Sequence, residues 1–187
     1  MPRPFKLAFI GSHGVGKTTL CYGLAARLKA RDMVLQLVEE VARRCPLPIN
    51  RGTTVAAQSW ILHTQIADEM VAASRHHVVI CDRSVLDNYV YLLLANGRQP
   101  MLEGLIDGWM KSYDLLVHVP ILDRPQADGL RSTDPSFQRA VDERLLEEIA
   151  RRDLDTLVLD GQGRKAWLDA VEAAVLDHLR PWQLELL

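Results

Sequence analysis

One segment constrains this chain more than any other: GSHGVGKTT, Gly11 to Thr19. It satisfies G-x-x-x-x-G-K-[ST] and lies between an apolar run, FKLAFI (Phe5 to Ile10), and a helical pattern running from Gly16 to Ala30. Gly11, Gly14 and Gly16 let the backbone fold so that the N–H groups of the segment, from Ser12, His13 and Val15 on to Thr19, point inward as an anion nest. The start of the helix adds its positive dipole end. Lys17 is placed to reach β- and γ-phosphate oxygens, and Thr18 to ligate Mg²⁺ through its hydroxyl. His13 is read as a spacer. The segment by itself predicts nucleoside triphosphate binding and nothing more specific.

The rest of the chain alternates. Strands are predicted at 5–10, 34–38, 77–81, 113–120 and 155–160, and helices at 16–30, 53–75, 85–96, 101–112, 136–151 and 163–179. The helix over 53–75 is capped by Thr53 or Thr54 and carries Leu62, Ile66 and Met70 on one face. Strands that alternate with helices form a parallel sheet covered on both faces, and near-continuous apolar strands fit that burial. The expected fold is therefore a three-layer α/β/α domain with five parallel strands. At 187 residues the chain suits one domain, 1–187, burying roughly 70% of its unfolded surface. The turn-rich segment 121–135 is a long loop, and long loops in compact domains usually carry function.

Composition narrows the class. A formal charge of −2 argues against general electrostatic binding to nucleic acid or to an anionic membrane. Cys21, Cys45 and Cys81 are scattered, without a C-x-x-C pair, which fits small core residues in a reducing cytoplasm. No apolar run approaches membrane-spanning length, and the apolar part of MPRPFKLAFIGS is too short for a signal peptide. The stretch YVYLLLANG reads as core rather than interface, although a homodimer is compatible with it.

Two further groups carry chemistry. The run HHVVICDRS ends an apolar strand on Asp82 and Arg83. Ligands collect at the carboxyl ends of parallel strands, so if the strands of Ile10 and Cys81 are neighbours, Asp82 faces the metal at Thr18 and Arg83 meets phosphate or substrate oxygens. Asp87 and Asn88, one turn on, face either the site or solvent. After the second strand, VEEVAR places Glu39 and Glu40 on the same edge. A carboxylate there can take the proton of a substrate hydroxyl. Adjacent residues point in different directions, so one of the two does this.

These segments, with AAQSWILHTQ, CDRSVLDNYVY and the arginine-bearing late loop, occur in the order found in P-loop nucleoside kinases. The chain resembles the deoxynucleoside kinases, and also the ribosylnicotinamide kinase-like branch of AAA-type P-loop domains. The resemblance spans nearly the whole chain. It implies ATP and Mg²⁺ as cofactors, bound at Gly11 to Thr19, with Thr18 and Asp82 at the metal. It implies Glu39 or, by the second family, Glu40 as base, and Asp82 and Arg83 beside the metal and the substrate hydroxyl. Gln58 falls where a helix glutamine reads a nucleobase edge. Arg131, then Arg124 and Arg139, are the lid arginines, and Asp160 to Arg164 is the segment that packs on adenine. Asn88 stands where deoxynucleoside kinases carry an acid, so their substrate choice does not transfer, and the turn Pro46 to Thr54 departs from their pattern.

The reading is a phosphotransferase acting on a hydroxyl of a small, nucleoside-like acceptor. Its catalytic set is Lys17, Glu39 or Glu40, Asp82, Arg83 and Arg131, with Gln58, Arg83 and Asn88 toward substrate. The rivals are a nucleotide switch with a protein partner and an ATPase subunit. The lack of an N-K-x-D signature disfavours a standard GTPase.

Overall fold

Alternate residues of the first strand face opposite layers, and that sets the plan of the molecule. In the computed structural model, which describes residues 3–49, 52–122, 134–159 and 163–184, β1 (Phe5–Ile10) places Phe5, Leu7 and Phe9 in one apolar cluster and Ala8 and Ile10 in another. Four more strands join it: β2 (Leu35–Val38), β3 (Val78–Asp82), β4 (Leu115–His118) and β5 (Leu157–Val158). All pairings are parallel, in the order β2-β3-β1-β4-β5. The helices α1 (Lys17–Lys29) and α6 (Arg164–Leu184) cover the Phe5 face. The helices α2 (Val55–Ala73), α3 (Val85–Asn96), α4 (Pro100–Met110) and α5 (Pro135–Arg151) cover the Ala8 face. The three-layer α/β/α fold with five parallel strands is the one expected.

Strand register decides which residues meet at the functional edge. Phe9 stands opposite Asp82, and Val38 opposite Cys81. The carboxyl ends of β2, β3 and β1 therefore finish level at one edge, where the phosphate loop leaves β1.

Helix starts are set by local chemistry. Thr54, rather than Thr53, caps α2, its hydroxyl accepting from the Ala57 N–H at 3.2 Å. Ser84 caps α3 in a capping box with Asp87. Most of α3 is buried, so the YVYLLL stretch is core through Leu93 and emerges at Leu94. Cys21 and Cys81 are buried thiols pushed well above their usual pKa by burial, while Cys45 is half-buried. No helix among the described residues is long and apolar enough to cross a membrane.

The predicted face of α2 needs correction. Leu62 is buried and Ile66 packs at the edge of the core, but Met70 is 58% exposed. The buried row is Gln58, Ile61, Leu62, Gln65, Glu69 and Ala72. Polar residues hold core positions, so an apolar search slips round the helix. Glu69 is fully buried, and its carboxylate accepts from Lys6 Nζ at 2.8 Å, Trp109 Nε1 at 2.8 Å, Tyr113 OH at 2.6 Å and Gln65 Nε2 at 2.9 Å. Lys6 Nζ also lies 4.6 Å and 4.5 Å from the ring centres of Trp109 and Tyr113. This set ties β1, α2 and α4 together.

A second ionic group joins α3, α4 and α5. Glu148 accepts from Arg98 Nη2 at 2.5 Å, Arg151 Nε at 3.1 Å and Arg152. Glu103 accepts from the same three arginines. Burial alone would raise the Glu148 carboxyl, but these guanidinium bonds outweigh it and hold the pKa below its ordinary value. Glu103 is also held low: burial raises it, and the Tyr89 hydroxyl and the arginines more than offset that. A depressed carboxylate contributes stability that is present above its unfolded pKa and is lost as pH falls through the folded one. Glu148→Gln should lower unfolding free energy by roughly 3 kcal/mol at neutral pH and by much less in acid, measured by chemical denaturation. An equal loss at both pH values would reject this account.

Candidate active site

The phosphate loop is built on a steric demand. Gly11 has φ 139°, and a Cβ there would lie 2.6 Å from the Val119 carbonyl oxygen. Gly16, at φ 101°, opens α1, and its carbonyl accepts from the Leu20 N–H at 3.1 Å. Lys17 Nζ sits inside the loop, donating to the carbonyls of Gly11 at 2.8 Å and Ser12 at 2.6 Å. Burial, then the nearby Arg83 charge, pulls the Lys17 pKa down to about 8, against the opposing pull of Asp87, Asp82 and Glu40. The first turn of α5 holds the loop from above: Ser12 Oγ donates to the Gln138 carbonyl, and Gln138 Nε2 donates to the His13 carbonyl, both at 2.8 Å. His13, expected as a spacer, is buried, with its ring near those of Phe137 and Tyr91.

The end of β3 carries the next part. Val78 and Ile80 pack on the α1 side, so Asp82, two residues on, faces α1 as well. Its Oδ2 accepts from Thr18 Oγ1 at 2.5 Å. Asp87 joins the cap of α3 to the loop: Oδ1 accepts from the Gly11 N–H at 3.0 Å, and Oδ2 from Ser84 N–H and Oγ at 2.9 and 2.7 Å. Between them Arg83 holds φ 100° with a full side chain, a strained backbone of order 1–3 kcal/mol. Its Nε and Nη2 both lie 2.8 Å from Glu40 Oε1, and its guanidinium stands 5.5 Å from the Tyr91 ring centre. Burial alone would lower the Arg83 pKa, but Glu40 outweighs it and holds it well above its ordinary value.

The two glutamates part company. Val38 faces the α2 side, and Glu40, two residues on, lies there too, buried on Arg83 and bonded through Oε2 to Arg43 Nε at 2.9 Å. Leu35 and Leu37 face the α1 side, and Glu39 continues that row, exposed and bonded to the Tyr22 hydroxyl at 2.6 Å. Glu40, Asp82, Arg83, Lys17 and Thr18 are thus drawn together, and Glu39 is directed away.

Gln58 and Asn88 are both buried. Gln58 Nε2 is held by Thr53 Oγ1 at 2.8 Å. Gln58 Oε1, Gln65 Oε1, Asn88 Nδ2 and Arg83 Nη1 have no hydrogen-bond partner among the described residues. They lie on α2, on α3 and on the short turn between β3 and α3. Arg139 is exposed on α5, one residue past Gln138. Arg124, Arg131 and the greater part of the 121–135 lid lie outside the described residues, as do Asn50, Arg51 and residues 160–162.

The sequence alone leaves Asp87 undecided and does not single out Tyr91, Gln138 or Glu69. The Ser84-x-x-Asp87 spacing is a capping signal that could have assigned Asp87. Nothing local marks Gln138 as a partner of the loop, because the contact closes across the whole fold.

Residues 6–165 match the family described as AAA domain. The chain belongs to this AAA domain family. No curated protein matches the sequence. Among solved structures, this AAA domain is similar to deoxyadenosine kinase from M. mycoides with bound dATP, at 16% identity and TM-score 0.64 over 91% of this chain and 98% of that one. It is similar to NadR protein in complex with NR, at 22% identity and TM-score 0.69, covering 91% of this chain and only 51% of NadR. It is also similar to thymidylate kinase from Ehrlichia chaffeensis, at 17% identity and TM-score 0.64 over 95% of this chain and 100% of that one. At these identities the likeness is one of fold, and the fold is that of P-loop nucleoside and nucleotide kinases.

The residues present fit a triphosphate and a magnesium ion. The loop can form its cradle only with glycine at 11, where a Cβ would strike the Val119 carbonyl oxygen. Thr18 Oγ1 and Asp82 Oδ2 offer two hard oxygens, a set that suits Mg²⁺ when phosphates and water complete the octahedron. Gly11→Ala should cost roughly 3 kcal/mol of stability and abolish binding of a fluorescent ATP analogue. Gly104→Ala, with open space around it in α4, should stabilise by about 0.5–1 kcal/mol. Unimpaired analogue binding by the Gly11 variant would contradict the cradle.

Proposed function

We propose that this AAA domain is an ATP-dependent phosphotransferase that phosphorylates a hydroxyl of a small, nucleoside-like molecule. One observation carries the reading: the Glu40–Arg83 pair stands beside the phosphate loop, next to the Thr18–Asp82 pair. A nucleotide switch needs the loop and the metal oxygens. It has no need of a buried carboxylate and guanidinium held together one strand away.

The pair also bears on the acceptor. An acceptor hydroxyl meets a carboxylate, Glu40, set between the guanidiniums of Arg83 and Arg43. Glu40, an acceptor-only carboxylate, takes the proton of the attacking hydroxyl. Arg83 orients the oxygen left behind. Lys17 and the loop N–H groups hold the phosphates, and Thr18 and Asp82 hold Mg²⁺, which when bound offsets phosphate charge. Arg131 is assigned to the transferred group by resemblance. Gln58, with its Nε2 engaged by Thr53, offers an acceptor oxygen to a donor on the substrate, and Asn88 offers a donor. That pairing supports a molecule with a polar ring edge as well as a hydroxyl. The proposed setting is cytoplasmic, with neither nucleic acid nor membrane as partner.

ATP turnover measured with and without a panel of nucleosides should rise with one of them. Nucleotide-dependent capture of a protein partner without such a rise would favour the switch. Lys17→Ala should lower kcat by at least about 100-fold. Glu40→Gln should lower it by about 100-fold or more, while Glu39→Gln stays near the parent. Two small losses would remove the base.

A further inference from the structure

We propose that Gln65, fastened by the buried carboxylate of Glu69, is a positioning residue: it clamps the backbone of Arg83 and so sets where the guanidinium stands. The inference rests on reading the Glu40–Arg83 pair as part of a phosphoryl-transfer site.

A residue with a full side chain keeps φ 100° only where its surroundings over-determine it. At Arg83 the surroundings are specific. Gln65 Nε2 donates to the Arg83 carbonyl at 3.2 Å and to Glu69 Oε1 at 2.9 Å. Two residues further on, the Val85 N–H donates to Tyr113 OH at 3.2 Å, and Tyr113 OH donates to the same Glu69 Oε1 at 2.6 Å. One carboxylate oxygen therefore anchors both sides of the turn that carries Arg83 and Ser84. Glu69 pairs with Lys6 as a carboxylate and accepts only, so Gln65 can face it solely with its NH₂ group. That fixes the amide orientation, and with it the donor to Arg83. The Gln65 oxygen is left without a partner among the described residues, in a side chain that is fully buried. A glutamine kept only for packing would do better as methionine or leucine. Lys6, Trp109 and Tyr113 would still satisfy Glu69 without it.

Gln65→Met keeps the volume and removes the clamp. Its kcat should fall about 10- to 100-fold, with KM for ATP unchanged. Combined with Arg83→Ala it should add no further loss, because it acts through Arg83. A loss that simply multiplies with that of Arg83→Ala would overturn the proposal. Tyr113→Phe, which loosens the other side of the turn, should show a smaller loss with the same dependence on Arg83. A readout without turnover keeps the test separate from the kinase reading. In protein labelled with ¹⁵N-arginine, hydrogen exchange at Arg83 Nε should accelerate at least about tenfold in Gln65→Met. Arg152 Nε, held by Asp107 at 2.8 Å in the other ionic group, should not change. Unchanged Arg83 exchange, or equal acceleration at both sites, would reject the clamp. If the parent phosphorylates no acceptor, the kinase reading fails while the exchange result still decides for or against Gln65.

Discussion

Everything at this site depends on the register of three parallel strands. With β3 between β2 and β1 and their ends level, the period-two alternation of each strand continues into the first residues beyond it. Asp82 inherits the α1 side from Val78 and Ile80 and meets Thr18. Glu40 inherits the α2 side from Val38 and meets Arg83. A slip of one residue in β2 would turn its side chains to the opposite faces and put Glu39 or Val41 where Glu40 now meets Arg83. Register thus chooses the residues of the site before any side-chain contact does.

The charges gathered there explain why the site is so heavily tied down. Lys17, Arg83, Glu40, Asp82 and Asp87 are all buried, and removing one partner of a buried pair costs about 3–5 kcal/mol. Several of them are held by more than one contact. Asp87 engages both the cap of α3 and the Gly11 amide, and Lys17 engages two loop carbonyls. Such networks add little net stability. What they supply is fixed geometry, which is the quantity phosphoryl transfer needs from a protein.

How much of this is legible in the sequence depends on how local each feature is. The phosphate loop is fully legible because its geometry is set by three glycines within a few residues of one another. The Asp82–Thr18 contact is legible once β1 and β3 are assumed to be neighbours, because strand ends and helix starts have predictable directions. The choice between Glu39 and Glu40 stays open in the sequence; in the structure alternate residues beyond β2 part, Glu40 to Arg83 and Glu39 to the Tyr22 hydroxyl. The inner row of α2 is misread through Met70, because Gln58, Gln65 and Glu69 occupy core positions and a search for apolar residues passes over them. Gln138 is out of reach of such reasoning: its bonds to Ser12 and His13 connect residues 126 and 125 positions apart, and nothing in its neighbours announces them.

The two ionic groups on the Ala8 face of the sheet divide along the same line. Glu103 and Glu148 meet Arg98 and Arg151, which reach solvent, and they join helices that carry none of the phosphate-loop residues. Their depressed carboxyls make them a source of stability that varies with pH. Glu69 is sealed from solvent, its charge met by Lys6 and its oxygens spread over donors from β1, α2, α4 and the segment that leads into β4. A buried carboxylate is a poor way to gain stability when an apolar residue could fill the space. It is an effective way to orient donors, because every group that approaches it must present a hydrogen. Two of those donors, Gln65 and Tyr113, each turn a second bond toward the backbone around Arg83. The polar row that hides α2 from a reading by apolar periodicity is thus the same row that reaches the phosphate-loop edge of the sheet.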